Sequence, residues 1–111
     1  MVIEISVQFI PPYKQSRASK EEGNHQSERT EKLQNAAREK YTSPPTSGGV
    51  NLSIIYYRHK GRADSANIIG GIADALQNIV YENDRQLKSI QYKETKADED
   101  LYTISILIDN K

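Results

Sequence analysis

The residues best suited to chemistry are a basic cluster and the carboxylates that follow it. Arg58, His59, Lys60 and Arg62 crowd together just before Asp64. Cations of this kind contact phosphate oxygens and would position a nucleic-acid backbone beside the carboxylate. The bland alternative is a solvated strand end. Lys14, Arg17 and Lys20 form a looser second group, able either to grip DNA or simply to keep a polar segment soluble. Other chemistries find no support. With no cysteine in the chain, neither disulfides nor thiolate metal sites can form, and a reducing compartment suits it. His25 and His59 lack the serine, cysteine or carboxylate arrangement of a nucleophilic site and read as surface residues. Gly48-Gly49 follows prolines without a Lys-Ser/Thr continuation, so it is not a phosphate-cradling loop.

A small number of elements must position these groups. Ile3, Ile5, Val7 and Phe9 alternate with mostly polar residues, the period of a half-buried strand that Pro11 and Pro12 end. Residues 13–26 carry no apolar periodicity and predict a mobile surface loop. Leu33, Ala36, Ala37 and Tyr41 predict a peripheral helix over about 28–41, and the breaker cluster from Pro44 to Gly49 leads to a second strand over 50–57. Ile69, Ile72, Ala73, Leu76 and Val80 recur at helical spacing and mark the main core helix. On its other side Gly70 and Gly71 together cost about 2 kcal/mol relative to alanine, which implies that something approaches that face closely. Leu87, Ile90 and Tyr92 suggest a third strand, and Tyr102, Ile104, Ile106 and Ile108 alternate as a fourth, with the charged tract 96–100 as the turn between them. The order β, α, β, α, β, β predicts an α+β fold, a mixed sheet with the helices packed on one side.

Length and composition bound the rest. A chain of 111 residues suffices for one domain, spanning 1–111, and its 36% apolar content without tryptophan implies a modest core. No apolar run approaches the roughly 20 residues that span a bilayer, and the N-terminus reads as a strand instead of a basic leader, so no membrane partner and a cytoplasmic location are expected. Net charge is zero, which is not the usual mark of a nucleic-acid binder. Its distribution says more: residues 1–62 hold ten Lys/Arg against six Glu, and residues 63–111 hold five against nine acids, so a basic platform adjoins an acidic region.

Three stretches, Arg62-Ala-Asp-Ser-Ala-Asn67, Ile72-Ala-Asp-Ala-Leu76 and Val80-Tyr-Glu-Asn-Asp84 with Gln86, together resemble the signature of the RusA-type Holliday junction resolvases. Pro12-Tyr-Lys-Gln-Ser-Arg17 is similar to the basic stretch that follows the family's first strand. The resemblance implies a homodimer that binds branched DNA and nicks symmetrically placed strands by metal-dependent phosphodiester hydrolysis, in DNA recombination and repair. It implies Asp64 and Asp84 as catalytic residues and ligands of Mg²⁺ or Mn²⁺; Asn67, Asn83 and Asp74 are further candidate oxygen donors in the same stretch. Lys14, Arg17, Arg58, Lys60 and Arg62 would then hold the DNA. Mg²⁺ suits such a set, since it takes one or two carboxylates plus water and substrate phosphate. A helix of about 11 residues rises roughly 16 Å and an extended return of about seven residues reaches roughly 23 Å, so a site shared by Asp64 and Asp84 is feasible.

The chain departs from the family pattern at three charged positions. Ala66 stands where the family has a second aspartate, Gly70 where it has lysine, and Asn83 where it has the first of a later aspartate pair. Two further functions follow from these departures and from the zero net charge: a module that binds junction DNA but cleaves it poorly, and a dimeric interaction protein with no nucleic-acid role. Each carboxylate also has a structural reading. Asp64 suits a helix N-cap, Asn83-Asp84 suits a turn, and Asp74, off the apolar stripe, suits a solvated or inter-subunit position.

Overall fold

Alternating branched apolar and polar residues produce four strands, β1 (Val2–Val7), β2 (Val50–Arg58), β3 (Leu87–Lys96) and β4 (Leu101–Ile108). Two helices, α1 (Lys20–Lys40) and α2 (Ser65–Leu76), lie between them, and a one-turn 3₁₀ helix, Asp84–Gln86, precedes β3. The computed structural model describes residues 1–14 and 20–109, with the backbone path alone for 20–26. The helix expected over 28–41 thus begins eight residues earlier, inside the stretch expected to be loop. Lys20, Glu21, Glu22 and Gln26 are good intrinsic helix formers, but a turn without apolar residues carries no periodicity to reveal it.

The four strands form one mixed sheet in the order β1-β4-β2-β3. β4 runs antiparallel to both β1 and β2, while β3 runs parallel to β2. A parallel pair needs a crossover, and α2 supplies it. Val50 lies opposite Leu87 and Arg58 opposite Lys96, so β2 and β3 start at one edge of the sheet, the entry end, and finish at the other, the exit end. Residues 97–100 therefore do not close a hairpin. They carry the chain across the exit end of β2 to its far side, where Leu101 pairs with Tyr57.

One face of the sheet makes the core. Ile5, Leu52, Ile54, Ile104 and Ile106 are at most 2% exposed, and Leu33 and Ala37 from α1 with Ile68, Ile72 and Leu76 from α2 cover them. The helices lie on one side, as the sequence pattern implies, and the opposite face presents polar residues such as Glu4, Ser53 and Thr103. The buried stripe of α2 is set by Ile68, Ile72, Ala75 and Leu76, one position out of phase with a stripe begun at Ile69, which is only half-buried. Edge strand β3 is mostly exposed along its length. Its lysines 88, 93 and 96 oppose pairing with another edge.

Candidate functional site

At the exit end, the chain leaving β2 is tied down by two acids. Arg58 donates through Nε and Nη2 to the two carboxylate oxygens of Glu94, at 2.9 and 2.8 Å, and through Nη1 to the Gly61 carbonyl at 2.8 Å. Its guanidinium also lies 4.9 Å from the centre of the Tyr56 ring. The expected DNA-contacting Arg58 is thus a brace, with its fork engaged inside the molecule. The Arg58 hydrogen bonds hold the Glu94 carboxyl below its ordinary range, helped by Tyr92. Burial, with Glu94 adding to it, pushes the Tyr92 hydroxyl up to about 12.

Asp100 completes the tie. Its carboxylate accepts the amides of His59 and Lys60 at 2.9 Å each and of Gly61 at 3.3 Å, together with the hydroxyl of fully buried Tyr56. Ala97 N donates to Arg58 O at 2.9 Å and closes the same turn. Gly61 is required here, because a Cβ would collide with the Tyr56 hydroxyl. Burial opposes ionisation of Asp100, but the four hydrogen bonds outweigh it and its carboxyl titrates below the ordinary carboxylate range. From this turn Lys60 and Arg62 project into solvent, without a side-chain partner among the described residues. Sequence reading assigned Asp100 to a charged turn and missed its role, since its partners lie about forty positions away; nothing local marks it.

Asp64 follows as the N-cap of α2, exposed, its Oδ1 accepting the Asn67 amide at 2.9 Å. The cap leaves Oδ2 without a partner among the described residues. Asn67 also gives its carbonyl to the Lys14 amide at 3.0 Å, which fastens residues 12–14 along α2. The close approach implied by Gly70 and Gly71 is this strap: a Cβ at Gly71 would stand 2.5 Å from the Tyr13 backbone, and one at Gly70 would stand 3.0 Å from the Lys14 stem. The Tyr13 ring lies 4.2 Å from the guanidinium of Arg29, a charged side chain only 6% exposed, so the strap is held between both helices. Lys14 Nζ pairs with Asp74 at 3.3 Å, both half-exposed. Asp74 is therefore partnered within the chain. Arg17 lies outside the described residues.

At the entry end, neutral side chains do the fastening. Gln86 Nε2 donates to the carbonyls of Thr46 and Gly48 at 2.7 and 2.9 Å, and its Oε1 accepts the amides of Glu82 and Asn83 at 2.9 and 2.8 Å. Asn83 caps the 3₁₀ turn, its Oδ1 accepting the Arg85 amide at 2.9 Å. Tyr81, fully buried, donates to the Ala73 carbonyl. Its hydroxyl is raised by burial, then by the nearby charges of Asp74 and Asp84. Asp84 itself is exposed, with both carboxylate oxygens free of partners among the described residues.

The two expected metal ligands are held apart. Asp64 precedes the first residue of α2 at the exit end, and Asp84 belongs to the turn that Gln86 pins at the entry end, so the twelve residues of α2 separate them, a span of about 18 Å. The return of 77–83 leads into β3 and not back to Asp64. Among the described residues no three His, Cys, Asp or Glu side chains gather as a metal-binding group. Within one chain the residues therefore do not fit a shared ion. Each end offers one carboxylate suited to Mg²⁺, which asks for only one or two.

No helix is long and apolar enough to cross a membrane among the described residues. A model of the endodeoxyribonuclease RusA family matches residues 1–107. A comparison with curated proteins gives no match.

Proposed function

This chain belongs to the RusA endodeoxyribonuclease family, whose members are Holliday junction resolvases, and from that premise we propose that it cuts branched DNA as a homodimer, with Asp64 of one copy and Asp84 of the other serving one metal site. The observation that carries the reading is the separation of the two acids to opposite ends of α2. An isologous pair related by a two-fold axis sets the same surface of each copy against the other. Copies whose α2 helices run in opposite directions bring an exit end beside an entry end twice, which yields two equivalent sites for two symmetric strand breaks. A divalent ion bound there would neutralise charge developing on the phosphate and activate a water. Asp84 offers both its oxygens, and Asp64 the oxygen its cap leaves free. Lys60 and Arg62 stand as phosphate contacts on the turn that leads to Asp64.

The test is incubation of the protein with a labelled four-way junction, with and without Mg²⁺ or Mn²⁺, scoring retardation and cleavage together. Metal-dependent symmetric nicking is expected. Asp64→Asn and Asp84→Asn are each expected to be inactive alone and to regain nicking when mixed, because a heterodimer restores one intact site. Unchanged cleavage by Asp84→Asn, or no complementation on mixing despite subunit exchange, would overturn the shared site.

A second reading, junction binding without cleavage, is favoured by Ala66 and by the lack of a three-ligand group among the described residues. Its outcome is retardation without product. Ala66→Asp with Gly70→Lys would then create cleavage, and Lys14→Ala should accompany them because the Lys14 stem already occupies the space over Gly70.

A further inference from the structure

We infer that Asp100 is a positioning residue for DNA binding: by gathering the amides of residues 59–61 it holds Lys60 and Arg62 in the orientation that meets phosphate. The inference rests on the proposed DNA-cutting function and adds to it an acid that strengthens binding to a polyanion.

Successive amides that converge on one point form a concavity for an anion, and here the anion is built in. Asp100 accepts from His59 N, Lys60 N and Gly61 N, so the backbone of the turn is fixed at three consecutive residues. The carboxylate is in turn held by the hydroxyl of Tyr56, which lies at 0% exposure in the core. The turn is thereby fastened to the sheet and not merely to another loop. Arg58, held by Glu94, adds a further tie to the same turn by donating to the Gly61 carbonyl. The two cations left over, Lys60 and Arg62, are exposed, and their placement depends on the backbone that Asp100 holds. Preorganised cations bind with less loss of conformational entropy on association.

A sign test separates positioning from simple electrostatics. Removing a negative charge beside a basic turn should strengthen binding to DNA if only net charge matters. If Asp100 positions the turn, its removal weakens binding instead. The experiment measures binding of the intact protein to a labelled four-way junction across a salt series, in EDTA so that no cleavage occurs. The variants are Asp100→Asn, Asp100→Ala, the pair Lys60→Ala with Arg62→Ala, and the combinations. Two phosphate contacts contribute about 1.8 to the slope of log K against log salt, from roughly 0.9 each, so the Lys60/Arg62 pair is expected to lower the slope by that amount. Asp100→Ala is expected to reproduce most of this loss, and adding the Lys60/Arg62 pair to it to change binding by less than about two-fold, since contacts that act as one unit are not additive.

Melting of each variant is read first. Asp100→Asn, isosteric and retaining one acceptor oxygen, carries the cycle if Asp100→Ala does not fold. Tighter binding by Asp100→Asn, or full additivity of the two losses in either background, overturns the inference while leaving the DNA-cutting reading in place. Wild-type protein that shows no salt-dependent binding to the junction overturns both.

Discussion

The two ends of β2 handle charge in opposite ways. At the exit end, acids do the structural work: Glu94 clamps Arg58, Asp100 gathers three amides and a buried hydroxyl, and even Asp64 gives one oxygen to a helix cap. At the entry end, the amide side chains of Gln86 and Asn83 do that work, and Asp84 keeps its whole carboxylate. Several acids of this chain are therefore structural ties, engaged by backbone amides or by an arginine. At the entry end neutral neighbours already satisfy the local backbone, which leaves Asp84 without a structural partner among the described residues.

The largest expected effect is at Asp84. Asp84→Asn is expected to lower junction cleavage on the order of 10²-fold or more, because a bound divalent ion supplies several kcal/mol of charge stabilisation. Its melting temperature should stay within the range of a neutral surface change, about 0.5 kcal/mol. A large loss of stability would mean that Asp84 also fastens the entry end.

The next effects are on stability. Gly71→Ala is expected to cost about 1–3 kcal/mol by overpacking against the Tyr13 backbone. Gly70→Ala should be close to neutral, because it meets the flexible Lys14 stem, which can move, and gains helix propensity of up to about 1 kcal/mol. Denaturant melts of the two variants compare directly how firmly the strap holds α2 and so the distance between the ends. Gln86→Ala is expected to cost about 2 kcal/mol, fewer than its four hydrogen bonds would sum to because the exposed groups regain water.

Smaller still is the cap. Asp64→Ala should lose about 1 kcal/mol, whereas Asp64→Asn should lose almost none, since asparagine caps as well as aspartate. If both lose metal-dependent cleavage alike, the charge and not the cap is what the reaction needs. Acid melts complete the contrast. Asp100 and Glu94 titrate below their ordinary ranges in the folded protein, so their stabilisation is complete above the ordinary carboxyl range, above about pH 5, and is lost as pH falls through the folded values. Asp100→Asn should flatten that acid limb. An unchanged limb would show that other groups carry it.

Much of the fold was legible because its signals are local. The alternation of Ile104, Ile106 and Ile108 and the glycine pair on α2 each state a physical constraint within a few residues, and the structure meets both with a buried strand face and a seated strap. The Tyr81 and Gln86 positions of the family-like motif were readable as a pattern without a reason. Their reasons are the Ala73 carbonyl and the carbonyls of Thr46 and Gly48. The early start of α1 was not legible, because solvated helical turns carry no apolar period, and neither was the brace on Arg58, whose partner is 36 positions away.

The amino-acid sequence by itself determined the α+β class, the apolar face of each strand and the family to which the signature points, since these depend on residue type and spacing along the chain. Only the tertiary structure decided that β3 lies parallel beside β2 while β4 crosses to its other side, that Asp64 and Asp84 stand at opposite ends of α2, and that Asp100 closes over residues 59–61. The physical reason is that strand order and convergent hydrogen bonds are set by which distant segments share a sheet. A carboxylate with three amides about forty residues away records nothing of that partnership in its own neighbours.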